Sequence, residues 1–256
     1  MTPERAAGQC SAGGLEVCWV SDLGVGRENN EDACLALPEK GLLIVSDGMG
    51  GEYAGELASR LVVEWLPALV AEQVGGVENP SVHDVEAGLR EAVVILNHRV
   101  RIERSTFDGS LKMGATVAMA LVRGALAHLA HMGDSRCYLW RDGRLERLTR
   151  DHSVVGTLLE RGAITPEQSE CHPLRGQLAR YVGMGGEVRA DVRTVELRDG
   201  DRLLLCTDGL TDALSDEVIQ DLLGWHEEVS LACQALVAAA RSRDNITVLI
   251  ARWRRQ

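Results

Sequence analysis

Two Asp-Gly pairs in this chain end buried-strand runs: Asp47-Gly48 follows Leu42 to Ser46, and Thr207-Asp208-Gly209 follows Arg202 to Cys206. A third aspartate, Asp244, stands just before the apolar stretch from Asn245 to Trp253. A buried strand that ends in a carboxylate and a glycine-rich loop delivers negative charge to a sheet edge, where ligands bind. Carboxylates gathered from distant parts of a chain repel one another, and such a cluster persists only where protons or cations compensate it. Ligands that are all oxygen favour magnesium or manganese over zinc. A single Asp-Gly pair is more simply read as a turn. Three carboxylates at strand ends point to a divalent-cation site.

The chain as a whole agrees with that chemistry. Its 256 residues are 45% hydrophobic and 25% charged, the composition of a globular protein with a sizeable core. The expected organisation is one large domain over residues 15–256, preceded by a loose, small-residue arm over 1–14. With 27 Lys and Arg against 38 Asp and Glu, the formal charge is −11, which repels polyanions and excludes nucleic acid as a default partner. An acidic protein that handles phosphate needs local positive charge, and bound cations supply it. No secretory leader and no bilayer-spanning run is read in the sequence, so a cytoplasmic monomer without a membrane is expected. The seven cysteines are scattered and never in a Cys-x-x-Cys arrangement, which reads as reduced core thiols.

The elements that must position the carboxylates are legible in outline. Val82, Val85, Leu89, Ala92, Val93, Leu96 and Val100 recur at helical spacing behind Ser81, predicting a helix over about 82–105. Another helix is expected from Glu52 to Val70, and Leu15 to Asp22 reads as the first strand. From Gly114 the period becomes strand-like, with tight turns at Arg123-Gly124 and Asp142-Gly143, the pattern of an antiparallel meander. Residues 152–186 interrupt it as an inserted flap, whose second helical piece opens on Thr165-Pro166-Glu167-Gln168, a capping box with proline in the first turn. Val188, Ala190 and Val192 alternate again, and Ser215 caps the first of two later helices. Strand blocks separated by helix pairs predict an α+β fold.

Six ordered segments carry a resemblance. Gly26 to Asp32, Ser46 to Gly51, Gly114-Ala115-Thr116, Gly133 to Arg136, Thr207 to Asp212 and Asp244 to Thr247 together resemble the type 2C, or PPM, metal-dependent protein phosphatases, from about Val17 to Trp253. The resemblance implies a four-layer α-β-β-α sandwich with two central antiparallel sheets and a small helical flap. It implies hydrolysis of phosphoserine and phosphothreonine on proteins by water that two cations, Mn2+ or Mg2+, activate. Asp47 would bridge the cations, the Gly48 carbonyl would help hold one of them, and Asp208 and Asp244 would hold the other. Glu31 and Asp32 would act through bound waters, and Arg27 would grip the phosphoryl group, a task for which a planar guanidinium suits better than an ammonium. Asp134, Asp208 and Asp212 match a third, weaker cation site. The implied partners are phosphorylated proteins: a serine/threonine kinase and its substrates, including forkhead-associated domain proteins. Bacterial-type relatives carry methionine at Met49 where eukaryotic ones commonly carry a histidine assigned as general acid, and a thioether donates no proton. His152 is a candidate for that role.

Other chemistries fit less well. His128 and His131 lie three apart on an expected strand, so their side chains point to opposite faces and do not share zinc with Cys137. Gly183-Met184-Gly185-Gly186 lacks the Lys-Ser or Lys-Thr of a nucleotide-binding loop. No cysteine has the setting of a phosphatase nucleophile. A catalytically dead phosphoprotein-binding relative should have lost a metal carboxylate, whereas Asp47, Asp208 and Asp244 are all present.

Overall fold

The computed structural model describes residues 5–50, 53–76, 79–106 and 113–255. Among the described residues twelve strands form two sheets. One runs in the order β1 (Arg5–Ala12), β2 (Leu15–Asp22), β12 (Ile246–Trp253), β11 (Arg202–Cys206), β8 (Arg136–Arg141), β9 (Arg144–Arg147). The other runs β10 (Asp191–Glu196), β7 (Leu126–Met132), β6 (Val117–Arg123), β4 (Leu42–Met49), β3 (Asp32–Leu37), with the short β5 (Gly114–Ala115) on the end of β4. All the pairings are antiparallel.

Three apolar cores set the layers. Leu43, Val45, Leu129, Leu203, Leu205 and Leu249 fill the space between the sheets. The opposite face of β4, with Leu42 and Ile44, packs against α1 (Ala54–Gly75) and α2 (Val82–Thr106). Tyr138, Leu204, Val248 and Ile250 pack against α6 (Asp216–Trp225) and α7 (Val229–Ala240). Strand residues alternate between faces, and because both faces of β4, β11 and β12 are covered, Leu42–Val45, Leu203–Cys206 and Val248–Ala251 are continuous apolar runs. The result is an α-β-β-α sandwich of the α+β class.

Local signals act as their chemistry dictates. Ser81 and Asp84 cap α2 reciprocally, Asp84 N–H to Ser81 Oγ at 3.2 Å and Ser81 N–H to Asp84 Oδ2 at 3.0 Å. The Thr165–Gln168 capping box forms and opens α4 (Pro166–Glu170), which with α3 (Val154–Glu160) makes the helical part of the flap. Asp142 and Gly143 both take positive φ, 50° and 77°, as a two-residue hairpin turn requires. The helix expected from Glu52 to Val70 runs from Ala54 to Gly75; Glu52 itself lies outside the described residues. The alternation at Val188, Ala190 and Val192 becomes strand only from Asp191.

The N-terminal expectation needs correction. Residues 5–12 are not a loose arm but a strand paired along its whole length with β2. Small residues there conceal the strand in sequence and make it possible in structure: a Cβ on Gly8 would lie 2.7 Å from Trp19 Nε1, so the indole lies on bare backbone.

Arg202 opens β11 as a buried cation. Its guanidinium donates to the carbonyls of Leu223, His226 and Glu227 at 2.8, 2.7 and 3.0 Å and sits 4.7 Å from the centre of the Trp140 ring. Those carbonyls end α6 and lead to α7. Arg202→Met orphans them and is expected to lower stability by about 2–4 kcal/mol, read as a lower midpoint in urea unfolding. A midpoint within error of the parent would show that the arginine only fills space.

Candidate metal centre

Each sheet brings carboxylates to the same end of the sandwich. β4 of one sheet carries Asp47, and the partner residue across β3 is Asp32. In the other sheet, Asp208 begins the short helix α5 (Asp208–Thr211) directly after β11, and Asp244 immediately precedes β12. Neither Asp-Gly pair is a turn of left-handed glycine, since Gly48 and Gly209 do not take positive φ. They are glycines because backbone presses on them: an added Cβ would lie 1.9 Å from Gly55 O at Gly48, and 1.9 Å from Asn245 O at Gly209. The two glycines let other segments close over the carboxylates.

Hydroxyls and one amide lock the backbone around the acids. Thr116 holds Asp47 twice: Asp47 N–H donates to its Oγ1 at 2.8 Å, and its own N–H donates to Asp47 O at 2.7 Å. Thr207 Oγ1 donates to Asp32 Oδ2 at 2.8 Å and accepts from Thr247 N–H at 2.9 Å. Asn245 Oδ1 accepts the Glu31 N–H at 2.9 Å, while its amide donates to the Leu23 and Asn29 carbonyls. In the sequence, Thr116, Thr207, Asn245 and Thr247 stand as motif members without roles; their hydrogen-bonding chemistry at strand ends was the available signal.

The acids are electrostatically expensive as they stand. Burial first, then Asp208 and Asp32, push the Asp47 carboxyl well above the ordinary carboxylate range. Burial pushes Asp32 up to about 7 despite its Thr247 and Thr207 hydrogen bonds. Burial and Asp208 raise Asp134 to about 8, and burial with Asp244 and Asp212 raises Asp208 to about 6. The Asp47 and Asp208 carboxyls influence one another: Asp208 raises Asp47, while a hydrogen bond from Asp47 offsets part of the rise at Asp208. Like charges so placed call for cations or protons. All-oxygen donors on two converging strand systems fit hard divalent cations.

Arg27 lies beside the acids. Its Nη2 donates to Asp244 Oδ1 at 2.6 Å and its Nε to the Arg243 carbonyl at 3.1 Å, with the side chain 42% exposed. Glu31 sits beside Gly55, where an added Cβ would meet its carboxylate, and burial raises its pKa. Asp134, Asp208 and Asp212 line one cavity of about 270 Å³. There the flap reaches the site through Arg175, whose Nη2 donates to Asp212 Oδ1 at 3.0 Å. Arg136 closes the same cavity by gripping both oxygens of Asp151, at 3.0 and 2.8 Å. Neither arginine announces this role in the sequence.

His152 does not fit the role of proton donor. It is buried, its Nδ1 accepts Gly133 N–H at 3.2 Å, and its Nε2 lies 3.1 Å from Asp191 Oδ2. It stacks on His131, with ring centres 4.4 Å apart, and its backbone carbonyl takes the N–H groups of Ala179 and Arg180, so it is a post at the base of the flap. His131, His152 and Asp191 are the one set of three such groups among the described residues whose donor atoms lie within 4.8 Å of one another. Their geometry opposes a shared ion: near-parallel rings aim their lone pairs side by side, His131 Nε2 is spent on the Arg150 carbonyl at 2.8 Å, and Arg180 holds Asp191. His128 turns away to Thr194, 3.0 Å off, as its spacing from His131 predicted.

A layered sandwich with an acidic, arginine-flanked cage at one end defines a class of divalent-cation proteins that bind phosphate. The family model described as Protein phosphatase 2C matches residues 25–244, and the chain belongs to that family. It is 40% identical over 233 residues to the serine/threonine protein phosphatase PstP of Mycobacterium tuberculosis, covering 90% of this chain and 43% of PstP. The chain thus spans less than half the length of that relative. It is 33% identical over 236 residues to the serine/threonine phosphatase stp of Listeria welshimeri, covering 90% of this chain and 92% of that one. Among solved structures, the catalytic domain of PstP in complex with 2 manganese ions superimposes with a TM-score of 0.76 at 36% identity, over 94% of this chain and 98% of that one.

Proposed function

We propose that this chain hydrolyses phosphoserine and phosphothreonine esters on proteins, using two divalent cations held by Asp47, the Gly48 carbonyl, Asp208 and Asp244. The observation that carries the reading is the convergence of buried aspartates with raised pKa values, from both sheets, beside a half-exposed arginine. When bound, the cations supply Lewis acidity toward phosphoryl oxygens and acidify water near neutral pH. Arg27 binds the phosphoryl oxygens from the solvent side and orients the ester. Thr207 fixes the Asp32 carboxylate, which together with Glu31 accepts hydrogen bonds from water inside the cage. Thr116 holds the end of β4 so that Asp47 and the Gly48 carbonyl keep their spacing. Met49 gives no proton, so the departing alkoxide takes its proton from solvent.

The cavity lined by Asp134, Asp208 and Asp212 is the place for a third, weaker cation, and the flap beside it bears on substrate choice. The substrates are phosphoproteins made by a serine/threonine kinase, among them the kinase itself and forkhead-associated domain proteins. No helix among the described residues is long and apolar enough to cross a membrane. The described cysteines are all free, as a reducing cytoplasm keeps them.

The test is hydrolysis of a phosphothreonine peptide with manganese, with magnesium and with chelator. Turnover that chelator abolishes and manganese restores is expected. Turnover indifferent to chelator, or none from folded protein with either metal, rejects the proposal.

A further inference from the structure

We infer that Arg101 and Arg104 of α2, with the Gly183–Gly185 loop, form an anion subsite that selects substrates bearing a negatively charged side chain a few residues from the phosphorylated one. The inference rests on the phosphatase reading above and concerns which peptides that site prefers.

Arg101, Arg104, Ser105, Gly183 and Gly185 line an open pocket of about 410 Å³. The arginines are three apart on a helix, so they share a face. Arg136, Arg147, Arg175 and Arg180 around the flap each hold a carboxylate. The guanidinium groups of Arg101 and Arg104, by contrast, make no ion pair or hydrogen bond among the described residues. Two like charges side by side, unpaired among the described residues of a chain of net charge −11, are a local positive field in a negative surface.

The pocket wall is built in advance. Asn97, 1% exposed, accepts the Gly183 N–H at 2.6 Å and donates to the Met184 carbonyl at 3.2 Å, tying the loop to α2 one turn before the arginines. Gly183 has φ +94° and backs onto Met113 O and the Val100 side chain, so this wall does not collapse inward. Gly185 faces open space and carries no conformational demand for glycine. The floor of the pocket is backbone that a ligand can approach.

The position relative to the metal cage is fixed by strand pairing. Gly48 pairs with Ala115, and Ala115 bridges to Val182, the residue before Gly183. Two strand spacings of about 4.8 Å put Val182 roughly 10 Å from Gly48, and the arginines lie somewhat further out. An extended peptide advances roughly 3.3 Å per residue, so a side chain about three to five positions from the phosphorylated residue reaches the pocket. Carboxylate and phosphate share the chemistry that guanidinium groups bind.

The experiment compares phosphothreonine peptides with Gln, Glu or a second phosphothreonine four residues before or after the target, alongside a small aryl phosphate, all with manganese. For at least one placement, kcat/KM for the anionic peptides is expected to exceed that of the Gln peptide by about 5- to 10-fold, more for phosphate than for Glu, and the gap should narrow as salt rises. Arg101→Gln with Arg104→Gln should erase that preference and leave the aryl phosphate rate unchanged. Gly185→Glu, which places a carboxylate in the pocket without touching the arginines, should do the same. A preference that survives both variants, or no preference at any position, overturns the inference. Peptide binding to Asp208→Asn protein, read by fluorescence anisotropy, scores the pocket without turnover. Absence of turnover with every substrate would reject the phosphatase reading, while equal anisotropy for the three peptides would reject the subsite alone.

Discussion

Asp208→Asn should lower turnover of a phosphothreonine peptide at saturating manganese by roughly 1000-fold or more, because loss of groups that merely support metal ligands already removes about 10- to 100-fold. The same substitution should make the chelated protein more stable than its parent. Asp208 interacts with the Asp47 carboxyl, with Asp244 and Asp212 close by, and both Asp208 and Asp47 are held above their ordinary pKa by burial and by neighbouring negative charge. An amide of the same shape can donate to the Asp47 carboxylate and removes one charge from the cluster. Catalytic sites commonly sit at the unstable end of a fold for this reason. The expected result in chelator near pH 8 is a melting temperature several degrees above the parent, since 1 kcal/mol corresponds to roughly 2–4 °C in a chain of this size. In manganese the order should reverse, because only the parent gains fully from the ions. An active variant would remove Asp208 from the cation site; a variant destabilised equally in both conditions would mean that Asp208 is structural.

Much of this centre was legible in the sequence because it uses local devices. An apolar run that stops at Asp-Gly is a strand reaching the edge of its sheet, and Asp47 and Asp208 are delivered in this way. Helix caps at Ser81, Thr165 and Ser215 are equally local, and each forms. What was not legible depends on tertiary partners. β1 is too rich in Ala, Gly and Ser to announce a strand, and it exists because β2 presents an open edge and Trp19 needs a flat surface. Asp191 lies beyond the flap from His131 and His152, and it meets His131 because β10 pairs with β7. His152 stands near the flap in sequence, which suggests a proton donor, and burial against His131 and beside Asp191 removes it from that role. Arg175 reaches Asp212 across 37 residues, a contact that no local pattern encodes.

The strongest pH effect should appear in the absence of metal. Asp32, Asp134 and Asp208 have folded-state pKa values of about 7, 8 and 6, all raised from 3.8. A carboxyl with a raised folded pKa holds its proton more tightly in the native state than in the unfolded chain. Its contribution to stability is complete below the unfolded value and is lost as pH rises through the folded one. Chelated protein should therefore lose stability steadily between pH 5 and 8.5, the opposite of the usual effect of salt-bridged carboxylates such as Asp191, which His152 and Arg180 hold well below the ordinary range. Each tenfold difference in proton affinity between the folded and unfolded chain corresponds to about 1.4 kcal/mol, and the groups interact, so the total is less than their sum but still several kcal/mol. The melting temperature in chelator should fall by roughly 10 °C over that interval. With manganese the fall should vanish, because the ions displace the protons and bind more tightly as pH rises. Asp134→Asn should flatten the chelated profile most at its alkaline end, where the Asp134 carboxyl ionises. A chelated profile that is level or rising between pH 5 and 8.5 would mean that the aspartates are already compensated without metal, and the electrostatic argument for a cation cage would fail with it.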